Sequence, residues 1–364
     1  MPPVYLLIKP VSGRCNLRCS YCFYCDIMSK RERRDYGSMS SSTLEAIVSK
    51  ALAHAEHSCT FAFQGGEPML AGLSFYKTLL KLQNRYNPGV KIVNIIQTNG
   101  YLIDDEWASF FAKNHFLVGI SLDGTKEVHD ANRINKKGGG TFEKVMTSIE
   151  KLKAHLVEYN ILTVVTAQAA KNINEIYTFY KRSGFIYQQY IPCLDPLGEI
   201  KGQKSYSLTP ELYGQFLMKL FDLWYKDMSS GNFIYNRYFE NIVGILKGYK
   251  PESCGMTGHC IGQFVIEADG SVYPCDFYVF EKYRSGNFAT DSFEEIQKQV
   301  EKNIFIDESL LAAVECEACS LKFVCRGGCR RDRDTGTQLE RNYYCSAYRA
   351  FFSYAIDRFM TLVR

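Results

Sequence analysis

The sequence predicts an α/β protein in which a parallel strand–helix array is followed by a smaller cysteine-rich domain. Six apolar segments alternate with five helical ones over the first 192 residues, the pattern of βα units. The strand segments are rich in Val, Ile and Phe with little polar alternation, which fits burial on both faces of a parallel sheet. After Pro251 glycines multiply and the elements shorten, and eight of the fourteen cysteines lie between 254 and 345.

Each element follows from local pattern. VYLLIK (4–9) reads as a buried strand, and a cysteine-rich loop follows it. A helical period runs over 42–56. CTFAFQ (59–64) is the second strand, ended by Gly65-Gly66. FYKTLLKLQNRY (75–86) is helical. KIVNIIQ (91–97) is the third strand, ended by Thr98-Asn99-Gly100. A helix over 104–114 leads to LVGISL (117–122), closed by Asp123-Gly124. Helix 141–156 precedes strand ILTVVTA (161–167), and helix 172–182 precedes strand IYQQYIP (186–192). Six such units form either a partial barrel or an open doubly wound sheet, and both place active-site residues at the carboxyl ends of the strands. Residues 209–250 read as helical and aromatic-rich, and 345–364 as one amphipathic helix. The run KRERR at 30–34 reads as a solvated loop.

Composition narrows the class. With 46% hydrophobic and 23% charged residues, disorder is excluded as the dominant state. No apolar run approaches the ~18 residues of a membrane span. The start, MPPVYLLIKPVSGRC, lacks the basic and apolar regions of a secretory signal, so a cytoplasmic protein is expected. Fourteen cysteines in a long chain of that kind, clustered at short spacings, point to metal rather than disulfides.

Cys15, Cys19 and Cys22 stand as C-x3-C-x2-C inside CNLRCSYCFY. Three thiolates on one tight loop suit an iron–sulfur cubane and leave one iron open to another ligand. A structural zinc site would normally be closed by four ligands. With Tyr21 before the last cysteine, just after the first strand, the loop resembles that of the radical S-adenosylmethionine (AdoMet) superfamily. The resemblance implies a partial (β/α)6 TIM-like barrel. AdoMet chelates the open iron there, and reductive cleavage yields methionine and a 5′-deoxyadenosyl radical. It further implies that Tyr21 and the Gly65-Gly66-Glu67-Pro68 motif belong to the cofactor site, the motif at the AdoMet amino group. Ser121 would meet the ribose, Arg133 the carboxylate, and Leu194 the adenine. Arginine's planar fork suits a carboxylate. Each of these residues also has a plain structural role open to it, as turn, cap or core.

The C-terminal cysteines form a second pattern. Cys260 is followed after nine residues by Gly270 and after four more by Cys275; then come Cys316-x2-Cys319-x5-Cys325-x3-Cys329, and Cys345. This resembles the SPASM domain of peptide-maturing enzymes. With Cys254 there are eight thiolates, enough for two fully ligated auxiliary [4Fe–4S] clusters, three clusters in all. Family topology implies Cys254, Cys260, Cys275 and Cys329 on one and Cys316, Cys319, Cys325 and Cys345 on the other; spacing alone leaves the partition open. Two zinc ribbons would use the same count. Cys25, Cys59 and Cys193 remain as non-ligating thiols. The domains expected are a radical SAM barrel over 1–235, a linker and SPASM domain over 236–345, and a helix over 346–364. Three clusters take about five units from the formal +4, leaving about −1, which removes the case for nucleic acid.

Fully ligated auxiliary clusters have no open iron for substrate, so they act as electron conduits or staples. A conduit fits a net two-electron oxidation, which also needs a base. Asp276, next to Cys275 in SVYPCDFY, is the candidate: a desolvated carboxylate beside a negative cluster should be a better base. Across nearly the whole chain, CNLRCSYCFY, FAFQGGEP, IQTNG, CLDPL, DGSVYPCDFYV, CRGGCRR and NYYC resemble the anaerobic sulfatase-maturating enzymes. The resemblance implies oxidation of a Cys or Ser of a sulfatase polypeptide to Cα-formylglycine, with an electron donor such as flavodoxin or ferredoxin. The polar loop 193–204 would vary with the peptide recognised. A maturase installing thioether or carbon–carbon crosslinks is the alternative. Such enzymes often carry an extra N-terminal domain, for which a first strand at Val4 leaves no room. A zinc-ribbon binding module is the non-enzyme alternative.

Overall fold

The computed structural model describes residues 3–310, 314–336 and 340–363. A nine-stranded sheet organises them. β1 (Val4–Ile8), β2 (Ser58–Phe63), β3 (Lys91–Thr98), β4 (Leu117–Ser121), β5 (Tyr159–Val165) and β6 (Tyr187–Pro192) lie side by side in chain order, all parallel. That order winds one way, as in a barrel; a doubly wound sheet would reverse at a switch point. The order ends open. β7 (Tyr235–Asn236) pairs with β6 at one edge. At the other, β8 (Phe264–Ile266) pairs parallel with β1, and β9 (Val272–Tyr273) pairs antiparallel with β8. The architecture is therefore a partial barrel, and the cysteine-rich domain extends its sheet.

The helices form where sequence period and caps agree. Ser40 caps Ser41–His54 through Thr43 N–H, and Asp104 caps Asp105–Lys113 through Trp107 N–H; such caps satisfy amides the helix itself leaves unpaired. Leu44, Ile47, Val48, Ala51 and Leu52 make one buried stripe on the first of these, the spacing of an amphipathic helix. Most predicted limits shift by one or two residues.

Three expectations change. The loop after Cys22 contains a helix, Phe23–Lys30, whose single buried residue, Ile27, gave no periodic signal. The helical reading of 209–250 resolves into Pro210–Ser229 and Arg237–Leu246, broken where Gly231 adopts φ +77° and Asn236 caps the second helix. KRERR is not wholly solvated: Arg31 is buried on Glu267, 2.7 Å from Nη1 to Oε1. The C-terminal helix, Cys345–Val363, packs on Pro210–Ser229, with Phe359 4.5 Å from Phe221; Arg364 lies outside the described residues. One apolar core runs continuously from the barrel into both C-terminal parts. Among the described residues no helix is long and apolar enough to cross a membrane.

Candidate functional site

Parallel pairing puts the carboxyl ends of the strands on one rim, and five of the six ends, all but that of β5, carry a segment singled out above. β1 runs into Lys9 and the cysteine loop, β2 into Gln64 and the glycine pair, β3 into Asn99. β4 ends at the half-buried Ser121, ahead of Asp123, and β6 leads to the buried Cys193 and half-buried Leu194.

The glycine pair is needed for backbone packing. Gly66 N–H donates to Ser12 O at 3.1 Å, and Glu67 N–H to Arg14 O at 2.8 Å. A Cβ on Gly66 would lie 2.0 Å from Arg14 O, and one on Gly65 (φ +123°) 2.6 Å from Ser12 O. The pair therefore clamps the second loop onto the start of the cysteine loop, an approach only glycine permits. The Glu67 carboxylate is likewise committed within the chain. It accepts from Met69 N–H (3.0 Å), Thr98 Oγ1–H (2.8 Å) and Asn99 N–H (2.8 Å). Burial pushes its pKa up to about 7 against those donors. Any ligand contact from this motif is thus a backbone matter.

Asp123 gathers the next group. Its Oδ2 accepts from the Tyr21 hydroxyl and, at 2.9 Å, from Arg133 Nε, while Oδ1 accepts from Val164 N–H. Arg133 also lies over the Tyr21 ring, 5.5 Å from its centroid. Tyr21 and Arg133 are both buried, so the aromatic of the cysteine loop and the candidate carboxylate ligand form one braced unit. His129 supports it, accepting from Asp123 N–H at Nδ1 with Nε2 on Thr141. Burial depresses its pKa to about 4.

The thiols fall into three groups. Cys15, Cys19 and Cys22 stand together on the first loop, close enough that charge on one raises the pKa of another. Cys275 and Cys329 interact with each other and with Cys254 and Cys260. Cys316, Cys319, Cys325 and Cys345 line one cavity together with Leu321 and Arg349. This is the partition implied by family topology. Of the leftover thiols, Cys59 is buried in β2 and Cys193 in the core, while Cys25 is exposed and reaches Cys22.

The residues suit iron–sulfur clusters by their donor chemistry. Burial pushes the Cys15 thiol up to about 12 and Cys19 and Cys325 to about 11. Such thiols keep their protons in the bare chain and give them up to a soft metal. Three or four soft thiolates per group are the donor set of an iron–sulfur cubane. Beside Cys15, Asn16 Nδ2 is buried without a hydrogen-bond partner. A buried amide left so is costly, and it marks where an acceptor from outside the chain would sit.

Asp276 joins the two halves. It is buried, and its Oδ2 accepts from the Tyr24 hydroxyl at 2.5 Å and from Gln64 Nε2 at 3.3 Å. Tyr24 lies two residues past Cys22, and Asp276 one past Cys275, so the first loop meets the inner four-thiol group at this carboxylate. Phe23 on Phe277, 4.8 Å apart, seals the same junction. The expectation for Asp276 took the cluster as its charged neighbour. The structure adds Lys9, whose Nζ lies 2.5 Å from Oδ1. Sequence reasoning missed Lys9, Tyr24 and Gln64 as a set, because no local pattern links residues up to 267 positions apart. Tyr24 and Gln64 flank motifs that were recognised, the only signal available.

The loop 193–204 is anchored on both sides. Leu197 N–H donates to Asp26 Oδ2 and Lys30 Nζ to Leu197 O; Arg331 Nη2 donates to Asp195 O and Lys201 Nζ to Asp332 O.

The chain matches the radical SAM superfamily over residues 10–179 and the iron–sulfur cluster-binding SPASM domain over 259–320. It is 47% identical over 365 aligned positions to the cysteine-type anaerobic sulfatase-maturating enzyme of Clostridium perfringens, covering 100% of this chain and 99% of that one. To the serine-type enzyme of Bacteroides thetaiotaomicron it is 33% identical, covering 97% and 89%. A solved structure described as native anSMEcpe with bound AdoMet and Kp18Cys peptide superposes with a TM-score of 0.96 at 46% identity, covering 100% and 99%.

Proposed function

The chain belongs to the anaerobic sulfatase-maturating enzymes of the radical SAM superfamily, and from that premise we propose that it oxidises a cysteine of a sulfatase polypeptide to Cα-formylglycine. Its cofactors are AdoMet and [4Fe–4S] clusters. The preference for cysteine over serine rests on identity, 47% to a cysteine-type relative against 33% to a serine-type one. The observation that carries the chemistry is the junction at Asp276, where the three-thiol loop and the inner four-thiol group share one buried carboxylate.

When bound, the cofactors supply a 5′-deoxyadenosyl radical that takes one hydrogen atom from the substrate Cβ, and an acceptor for the one electron left over. The chain's own residues do the rest. Asp276 takes the thiol proton at Oδ2, with Tyr24 and Gln64 orienting that oxygen. Loss of one hydrogen atom, one proton and one electron leaves a thioaldehyde, which water converts to the aldehyde with release of hydrogen sulfide. We assign the AdoMet side of the site to Ser121 at the end of β4, Arg133 in the loop after the helix Lys126–Asp130, the backbone of Gly65, Gly66 and Glu67, Tyr21 beneath Arg133, and Leu194 after β6. The eleven cysteines of the three thiol groups hold the clusters. We assign the reductant to an electron carrier such as flavodoxin or ferredoxin, and the reaction to the cytoplasm.

The test is an anaerobic assay of the reconstituted chain with AdoMet, a strong reductant and a peptide carrying a Cys-x-Pro-x-Arg segment. Mass spectrometry should find 5′-deoxyadenosine and a hydrazide-reactive aldehyde together. Deoxyadenosine with an unaltered peptide would move the substrate elsewhere. A crosslinked peptide without aldehyde would favour the thioether or carbon–carbon maturase.

A further inference from the structure

Beneath the proposed base lies a chain of buried charges that the reaction as described does not use. Lys9, the first residue past β1, is 1% exposed. Its Nζ lies 2.5 Å from Asp276 Oδ1 and 3.5 Å from Glu267 Oε1, and 5.0 Å from the centre of the Tyr24 ring. Glu267, at the end of β8, is itself held by Arg31 Nη1 at 2.7 Å. Arg31 also donates to Ser12 Oγ and to the Arg34 carbonyl. Two cations and two carboxylates are thus buried in one alternating row.

Burying an ammonium is costly unless carboxylates repay it. Burial opposes the charge on Lys9, but Asp276 and Glu267 outweigh it and hold its pKa above the usual lysine value. The row is also asymmetric. Glu267 meets Arg31 and Lys9 at the same oxygen, Oε1, with Arg31 the nearer at 2.7 Å, and Lys9 lies 1.0 Å closer to Asp276 than to Glu267. That occupies Oδ1 and leaves Oδ2 facing Tyr24 and Gln64. The carboxylate plane is therefore fixed by three groups, from the ends of β1 and β2 and from the helix Phe23–Lys30. When Oδ2 gains a proton, Lys9 still has Glu267, so no cation is stranded.

Given the maturase reading, we propose that Lys9 is a positioning residue for proton removal: it anchors Asp276 Oδ1 so that Oδ2 alone is presented to the substrate thiol. Its stem makes this rigid. Lys9 Cβ and Cγ lie 3.4 Å from where a Gly65 side chain would begin, so the lysine is wedged under the glycine clamp and has little rotamer freedom. A loosely held base loses rate steeply, since a misplacement of about 1 Å can cost about a hundredfold.

The test uses the full reconstituted chain and Lys9→Met, Lys9→Ala and Lys9→Arg. Iron content, the visible spectrum and peptide Kd are measured beside the yield of aldehyde per 5′-deoxyadenosine. In Lys9→Met that ratio should fall about tenfold or more, with iron and peptide Kd within about twofold of wild type. In Lys9→Ala, added methylammonium should raise the ratio in proportion to its concentration, whereas added tetramethylammonium, too large for the wedge, should not. An unchanged ratio in Lys9→Met overturns the inference. So does loss of iron in Lys9→Met and Lys9→Ala that Lys9→Arg restores without any gain from methylammonium, because Lys9 is then a fold element only. If wild type itself forms no aldehyde, it is the maturase reading that fails, and the Lys9 comparison fails with it for that separate reason.

Discussion

The first loop and the C-terminal domain are built from the same ligand to opposite ends. Cys15, Cys19 and Cys22 stand beside a buried amide, Asn16 Nδ2, that the chain leaves unpartnered. The eight C-terminal thiols form two sets of four, one lining its own cavity and one tied to Asp276 through the adjacent Cys275. A three-thiol set keeps an iron for chemistry, whereas a four-thiol set closes its cluster and can only pass electrons or brace the fold. The geometry adds that the two regions are not separate modules: β8 pairs with β1, and Tyr24 reaches Asp276.

Breaking the first loop should have the largest effect. Cys19→Ala should reduce AdoMet cleavage by about a thousandfold or more and lower bound iron from about twelve to about eight per chain. Cleavage surviving in that variant would place the radical chemistry elsewhere. Next comes the junction. Asp276→Asn should lose about a hundredfold in aldehyde formation while deoxyadenosine is still produced, read by mass spectrometry of both products. Full aldehyde yield would remove Asp276 from the mechanism. The outer set should matter less: Cys316→Ala should also lose about four irons, yet keep AdoMet cleavage, with aldehyde reduced about tenfold. Equal damage from Cys316→Ala and Cys19→Ala would erase the distinction between the regions.

Two smaller effects concern the frame. Phe351, fully buried between Phe221 and Phe239, ties the C-terminal helix to the barrel; Phe351→Ala should cost about 3–5 kcal/mol in denaturant unfolding. His129 supports Asp123 and is held neutral, its pKa about 4 against the ordinary ~6.5. A folded value below the unfolded one gives stability that is present above pH ~6.5 and lost as pH falls toward 4. Between pH 7.5 and 5.5 wild type should therefore lose about 1 kcal/mol more than His129→Gln.

Much of this was legible in the chain itself. Six strands, their parallel character and the cysteine spacings could be read directly, because a βα period and a thiol motif are local signals. The same reading misplaced what local signals do not encode. Phe23–Lys30 hid its helix behind a single buried residue. The close packing of Gly65 and Gly66 on Ser12 and Arg14 left no mark in the sequence. Arg31 looked like one charge of a solvated run.

By itself, then, the sequence determined the cysteine inventory, the parallel βα array and the family. Only the tertiary structure decided which thiols stand together, and that Lys9, Tyr24, Gln64 and Glu267 surround or support one carboxylate. Those contacts join residues brought near by strand pairing, and their strength comes from shared burial. Buried ion pairs hold only where several chain segments exclude water at once, and no single segment carries that information.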